Sequence, residues 1–204
     1  MPKLKEDYTK QEKINGVVYN MSPSANYRHS IVNGNIYGKL REGFKGSLCL
    51  TFMENLYYRY HVEENDDYVI PDIIVICDRK HLKGSAYTGV PRFIVETLSP
   101  ATALNDKTIK KDIYQNAGVS EYWIVSSKER AVEIYYLEDS AYVLKYFYIL
   151  QDSVVRLFFS NQKVRFFVYF SQYVKLYNIK RDLLRNSVLF ATLTKVRFFA
   201  NIIY

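Results

Sequence analysis

Cysteine is scarce in this chain of 204 residues, which contains only Cys49 and Cys77. Neither belongs to a CxxC pair or to a Cys/His cluster, so the usual zinc-binding motifs are excluded. Both cysteines lie inside apolar, strand-like runs. We therefore predict buried, reduced thiols rather than a disulfide.

Long apolar runs are also missing, because no uncharged apolar stretch approaches the roughly 18 residues of a membrane span. The first 13 residues, MPKLKEDYTKQEK, are polar and lack the apolar core of a signal peptide. We expect a cytoplasmic protein of bacterial type with no membrane partner. Its length and its apolar fraction of 49% predict a globular chain with room for one domain and a substantial core.

Glycine and proline are both absent after residue 150, although a folded domain normally uses them at its turns. Residues 152–204 hold nine basic and two acidic residues, which account for the whole formal net charge of +7. We therefore divide the chain into a folded domain at 1–150 and an atypical basic, aromatic tail at 151–204. Such a tail can bind nucleic acid, but we favour a weakly structured extension, for example one translated out of frame.

The folded part mixes strand-like and helical patterns, which predicts an α/β domain. Residues 1–13 are expected to be frayed or helical. Helices are predicted at 26–42 and 105–117, and strands at 14–21, 47–53, 55–62, 68–77, 92–99, 121–126, 131–137 and 142–150. Pro71 cannot donate a ladder hydrogen bond, so we expect strand pairing to be interrupted just before Asp72.

Two acids and a lysine stand in segments that are otherwise apolar. Asp72 and Glu96 lie in predicted strands, and Lys110 lies on the apolar face of the second helix. Burying such charges is unfavourable unless they are paired or bind a ligand. Carboxylates on adjacent strands, about 4.8 Å apart, would repel each other, and a bound Mg²⁺ or Mn²⁺ would remove the conflict. An inward lysine could stabilise negative charge on a phosphate.

Simpler interpretations exist for each of these three residues. Asp106 and Lys110 are four positions apart and could form an ordinary helix-surface pair. Asp72 could cap a turn after Pro71, and Glu96 could pair with Arg92 on an edge strand. The three charged residues together, in strand, strand and helix order, favour a site.

Two further residues could support such a site. His29 lies on the apolar face of the first helix, where it is either a core histidine with one hydrogen bond or a residue that projects into the metal site. Tyr114 follows Lys110 by one helical turn, and we expect it to pack against the lysine and orient it rather than to react.

A family resemblance is carried by four segments: YNMSPSANYRHSIV, VIPDIIVICD, FIVETLSP and DKTIKKDIYQNAGVSEYWIVSSKERAVEIY. They resemble the bacterial Uma-two family of restriction-endonuclease-like proteins, within the PD-(D/E)XK nuclease superfamily, over residues 12–140. The resemblance implies a mixed β-sheet flanked by helices, with Asp72 and Glu96 as Mg²⁺ ligands. The superfamily usually has its lysine two residues after the glutamate, where this chain has Leu98. The resemblance therefore assigns that role to Lys110.

The expected function is a Mg²⁺-dependent or Mn²⁺-dependent endonuclease that hydrolyses DNA phosphodiester bonds. Asp72, Glu96 and Lys110 would be its catalytic residues, with His29, Asp106 and Tyr114 as auxiliary residues. DNA would be the partner, and a homodimer is compatible with the sequence. The alternatives are an inactive relic of the nuclease fold that binds DNA or protein, and a purely structural module whose acids form salt bridges.

Overall fold

The structure is a computed structural model that describes residues 10–21, 26–151, 154–159 and 162–169. Thirteen strands lie in these ranges: β1 Gln11–Ile14, β2 Val17–Asn20, β3 Leu50–Met53, β4 Tyr57–Tyr58, β5 Ile73–Ile76, β6 Leu82–Lys83, β7 Ala86–Tyr87, β8 Phe93–Thr97, β9 Glu121–Ser126, β10 Ala131–Glu138, β11 Ala141–Gln151, β12 Val154–Phe159 and β13 Gln162–Tyr169. The helices described are α1 Tyr27–Gly43, α2 Ala103–Lys107 and α3 Ile109–Asn116, with one 3-10 turn at Arg79–His81. None of these helices has the length and apolar character needed to span a membrane.

Eight strands form one mixed sheet in the order β13-β12-β11-β10-β9-β8-β5-β3. The β8–β9 pair is parallel, and the other neighbouring pairs are antiparallel. β1 and β2 form a separate hairpin, while β4, β7 and β6 form a small three-stranded sheet. With helices packed against the large sheet, this is the predicted α+β fold with a mixed sheet, and the predicted fold class is confirmed.

The central strands β5 and β8 are buried on both faces, as their nearly continuous β-branched and aromatic sequence predicts. On one face, Val32 and Ile36 of α1 belong to the same core cluster as Ile73. On the other face, Tyr114 of α3 belongs to the cluster that contains Ile74. Polar side chains at the ends of β5 and β8 therefore lie between two apolar cores.

Helix α1 closely follows its prediction. Its buried positions include His29, Val32, Ile36 and Leu40, which recur at helical spacing. The side chain of Asn26 caps the helix by accepting a hydrogen bond from the backbone N–H of Arg28 at 3.1 Å. The apolar stripe thus fixes which side of α1 meets the sheet, and it carries His29 inward.

The second predicted helix, 105–117, is wrong as a single element, because it is divided into α2 and α3 at Thr108. Thr108 has φ −123° and ψ −85°, which is not a helical conformation. Its hydroxyl donates to the carbonyl of Leu104 at 2.7 Å. A threonine side chain that bonds to nearby backbone offers an alternative to regular helix, and this explains the break.

Two further elements in the first third of the chain differ from their predictions. Residues 11–13 belong to β1 rather than to a frayed or helical segment, because Asn15 and Gly16, with φ of 51° and 75°, form a tight hairpin turn. The strand predicted at 55–62 is reduced to β4, since its partner β7 offers only two residues. Strand β5 begins directly after Asp72, as the position of Pro71 predicts.

Cys49 and Cys77 form a disulfide, so the prediction of reduced thiols is wrong. Strands β3 and β5 are antiparallel with Leu50 opposite Ile76, and the next pair in this register is the two cysteines. Their Cα atoms are 3.9 Å apart. A separation of 28 residues in the sequence gives no sign of this contact, because only the strand register creates it.

The large sheet continues into the predicted tail, where β12 and β13 pair antiparallel with each other and β12 pairs with β11. Residues 170–204 of that tail lie outside the described residues. The domain boundary at 150 and the out-of-frame origin therefore stay predictions.

Removing the disulfide should destabilise the protein, because the crosslink restricts the unfolded chain across 28 residues. The loop-entropy relation gives a loss of about 3–4 kcal/mol in the free energy of unfolding. Urea unfolding of the oxidised parent, the reduced parent and a Cys49→Ala/Cys77→Ala double variant measures it. The reduced parent should resemble the double variant, and equal midpoints for the oxidised and reduced parent would contradict the prediction.

Candidate active site

The two predicted acids come together at the end of adjacent strands. Glu96 lies in β8, and Asp72 immediately precedes β5, whose register pairs Ile73 with Val95. Asp72 therefore lies opposite Glu96. The backbone N–H of Asp72 donates to Glu96 Oε2 at 3.3 Å, which brings this carboxylate oxygen to the chain that carries the other acid.

Lys110 projects from α3 into a buried group of carboxylates. Its Nζ lies 2.9 Å from Glu12 Oε1, 3.3 Å from Glu96 Oε1 and 3.3 Å from Asp106 Oδ1. Tyr114, one helical turn beyond Lys110, donates its hydroxyl to Glu96 Oε1 at 2.7 Å. The structure thus brings Lys110, Asp106 and Tyr114 to Glu96, and it adds Glu12 from β1.

The charges of this group are unbalanced, because three buried carboxylates surround one ammonium. Burial raises the pKa of Glu96 well above its usual 4.5, against the opposing effect of Lys110. Burial likewise raises the pKa of Asp106, again opposed by Lys110. Burial lowers the pKa of Lys110, but the carboxylates of Glu96, Glu12 and Asp106 outweigh it and hold that pKa well above 10.5. The ammonium is therefore charged, and the acids compete for it.

Asp106 occupies the least satisfied position in this group. Its Oδ1 lies 3.3 Å from Lys110 Nζ, yet the angle forms no hydrogen bond, and this buried oxygen has no hydrogen-bond partner among the described residues. The two charges are close enough to attract each other, but the contact lacks the geometry of a hydrogen bond. Lys110 therefore interacts most closely with Glu12 and Glu96.

A second polar group lies on the α1 side of the sheet, around the carboxylate of Asp72. His29 Nε2 is 3.1 Å from Asp72 Oδ2, and the backbone N–H of Thr97 donates to the same oxygen at 2.7 Å. Burial lowers the pKa of His29, but its hydrogen bond and charge interaction with Asp72 and the charge of Glu54 raise it above the usual 6.5. His29 is therefore a buried histidine that holds the carboxylate of Asp72, and its role at a metal site stays a prediction.

Asn33 links this group together from the next turn of α1. Its Nδ2 donates to Glu54 Oε1 at 3.2 Å and lies 3.3 Å from His29 Nδ1. Its Oδ1 accepts the hydroxyl of Thr97 at 2.5 Å. Because the carboxylate of Glu54 can only accept, the Asn33 amide points its nitrogen toward Glu54 and His29.

These contacts create a set of potential metal ligands. His29, Glu54 and Asp72 each offer one ligand atom, and the three atoms lie within 4.8 Å of one another. The side chains of Asp72 and Glu54 are 13% and 31% exposed, whereas that of Glu96 is 3% exposed. Glu54 is therefore the most accessible carboxylate of this set, and Glu96 is closed off from solvent.

Sequence reasoning missed Glu12, Asn33 and Glu54. Glu12 and Ile14 alternate in β1 and are both buried, so the strand pattern could have shown an inward acid once the hairpin turn was recognised. Asn33 is four residues from His29 on the same helix face, which is a usable signal. Glu54 offers none, because it lies in a loop with φ 56° and only the fold brings it to His29.

The sequence profile of one family, described as "Uma2: Putative restriction endonuclease", matches residues 1–163. The chain belongs to the Uma2 family. The family resemblance drawn from the sequence motifs is therefore confirmed, and the match extends beyond both ends of the 12–140 segment on which it was based.

Two known proteins resemble this Uma2 chain. A crystal structure titled as a putative nuclease belonging to DUF820, from Anabaena variabilis, has a TM-score of 0.56 and 18% identity, covering 70% of this chain and 79% of that one. This likeness shows a shared fold. An uncharacterized protein from Synechocystis sp. is 26% identical over 131 residues, which span 64% of this chain and 67% of the relative.

Replacing Lys110 by methionine should strongly destabilise this Uma2 protein, because it leaves three buried carboxylates without their cation. Removing one partner of a buried ion pair costs about 3–5 kcal/mol, measured as the loss in free energy of unfolding in urea. Lys107→Met is the matched control, since Lys107 pairs with Glu133 at 3.0 Å near the surface and should cost less than about 1 kcal/mol. Equal losses for both variants would show that the buried group is not held by Lys110.

Proposed function

We propose that this protein is a divalent-metal-dependent endonuclease that hydrolyses phosphodiester bonds in DNA. The observation that carries the proposal is the position of Asp72, whose backbone N–H bonds to the Glu96 carboxylate of the next strand while its own carboxylate lies beside the buried His29 and the half-buried Glu54. Family membership supports the reaction class, since the description of the family is "Putative restriction endonuclease".

The ligand chemistry of these residues fits a divalent cation. Carboxylate oxygens suit Mg²⁺ and Mn²⁺, and an imidazole nearby favours Mn²⁺ over Mg²⁺. We assign Asp72 and Glu96 as the metal-holding carboxylates, with Glu54 and His29 as further ligands beside Asp72. Glu96 is prepared for this role, because Tyr114 and Lys110 occupy its Oε1 and its Oε2 faces Asp72. A bound ion would activate a water and stabilise charge on the phosphate.

The other residues then hold the site in place. His29 and the Thr97 backbone fix the orientation of the Asp72 carboxylate, while Asn33 fixes His29 and Glu54. Lys110 offsets the negative charge beside Glu96, and Asp106 and Tyr114 act as auxiliary residues that restrain it. Since DNA is the proposed substrate, we place the protein in the bacterial cytoplasm. A homodimer stays a prediction that light scattering would test.

Purified protein should cleave plasmid DNA with Mn²⁺ or Mg²⁺ and lose this activity with EDTA. Asp72→Asn should lower kcat by at least about 100-fold, because it weakens the hold on the ion that stabilises charge on the phosphate, and Glu96→Gln should act similarly. Gel analysis of nicked and linear plasmid measures the rate. Asp78→Asn is the matched control, because Asp78 is exposed and lies outside the site, capping the 3-10 turn.

Two results of these cleavage assays would contradict the proposal. Cleavage by Asp72→Asn at the parent rate would show that Asp72 is not a catalytic residue. Cleavage that survives EDTA in the parent would contradict the dependence on a metal.

A second candidate function is a binding module that retains the nuclease fold without catalysis. One observation favours this function: Glu96 and Lys110 are each 2% exposed and are bonded to one another, so neither is accessible to a substrate. Calorimetric titration with Mn²⁺ separates the two functions. Binding that disappears in Asp72→Asn supports the nuclease, whereas folded parent protein that binds no Mn²⁺ supports the module.

A further inference from the structure

Glu12 connects the two halves of the candidate site through one carboxylate oxygen. Its Oε1 accepts a hydrogen bond from the backbone N–H of Ile70 at 2.8 Å and lies 2.9 Å from Lys110 Nζ. Ile70 is separated from Asp72 only by Pro71. A single buried atom therefore touches both the segment that leads into Asp72 and the ammonium beside Glu96.

The hairpin that carries Glu12 is fixed to the same segment. Lys13 and Tyr68 exchange two backbone hydrogen bonds, of 2.9 and 2.8 Å. Gly16 N–H donates to the carboxylate of Asp67 at 3.0 Å, which secures the hairpin turn. These bonds leave the backbone next to Glu12 little freedom, so its side chain is held at the buried end of the site.

Glu12 is a buried acid, and its burial is explained by the pairing with Lys110. The residue is 4% exposed, and an acid in this position must be paired to offset its lost hydration. Its distance to Lys110 is the shortest of the three carboxylate contacts that this lysine makes. Glu12 therefore determines where the ammonium lies more closely than either Glu96 or Asp106 does.

We propose that Glu12 is a positioning residue of the metal-dependent reaction, which fixes Lys110 relative to Glu96 and to the strand entry at Asp72. The inference rests on the proposed nuclease function. Without the carboxylate, Lys110 moves closer to Glu96 and competes with the metal ion for it. Glu12 itself contacts neither the scissile phosphate nor the ion.

The test is a comparison of cleavage kinetics between the parent and Glu12→Gln. Glutamine keeps the length of the side chain and an oxygen that can accept from Ile70 N–H, so only the charge is lost. We expect kcat to fall at least about tenfold, as for the loss of one charge-stabilising interaction. The KM for plasmid DNA should stay within about twofold, because the residue is too buried to touch DNA.

Glu133→Gln is the matched control, since Glu133 also pairs with a lysine, Lys107 at 3.0 Å, but is partly exposed and is separated from Glu96 by the intervening strand β9. It should leave kcat and KM unchanged. Thermal melting of both variants checks folding. If Glu12→Gln does not fold, Glu12→Asp replaces it, because aspartate keeps the charge but withdraws the oxygen from Lys110, and kcat should again fall with KM unchanged.

The outcomes separate this inference from the proposed function. A parent that cleaves DNA and a folded Glu12→Gln variant with the same kcat would overturn the role of Glu12 and leave the nuclease intact. A raised KM with unchanged kcat would also overturn it, because positioning of the reacting groups acts on kcat. A parent that cleaves no DNA with Mn²⁺ or Mg²⁺ overturns both.

Discussion

The ammonium of Lys110 among three buried carboxylates is the interaction around which the candidate site is built. Glu12, Glu96 and Asp106 come from a hairpin, a central strand and a short helix, and they meet because one cation attracts all three. Charges enclosed in this way are tolerated only when they are paired. The position of each surrounding element is therefore constrained by the reach of one lysine side chain.

The excess of negative charge has a direct consequence for ligand binding. One ammonium cannot neutralise three carboxylates. Burial raises the pKa of Glu96 and of Asp106, and Lys110 only partly opposes that rise. Asp72 lies one strand away, beside the buried His29 and the half-buried Glu54. The divalent cation of the proposed function would supply positive charge to these carboxylates, whose oxygens are ligands that Mg²⁺ and Mn²⁺ accept.

The lysine beside Glu96 comes from a helix in this Uma2 chain, and not from the strand that carries Glu96. Leu98 occupies the position two residues after Glu96, and Lys110 reaches Glu96 Oε1 from α3 at 3.3 Å instead. The break at Thr108 separates α2 from α3 and lets Asp106 and Lys110 approach Glu96 from two short helices. The ammonium beside Glu96 is thus supplied by a helix rather than by the strand that carries the glutamate.

The sequence by itself determined the fold class, the stripe of α1, the burial of β5 and β8, and the inward charges Asp72, Glu96 and Lys110. These follow from local periodicity and from the cost of burying a charge, which are readable along the chain. Tertiary structure alone decided the Cys49–Cys77 disulfide and the contacts of Glu12 and Glu54. The physical reason is that strand register and hairpin docking bring together residues tens of positions apart in the sequence. A local sequence pattern carries no information about such long-range contacts.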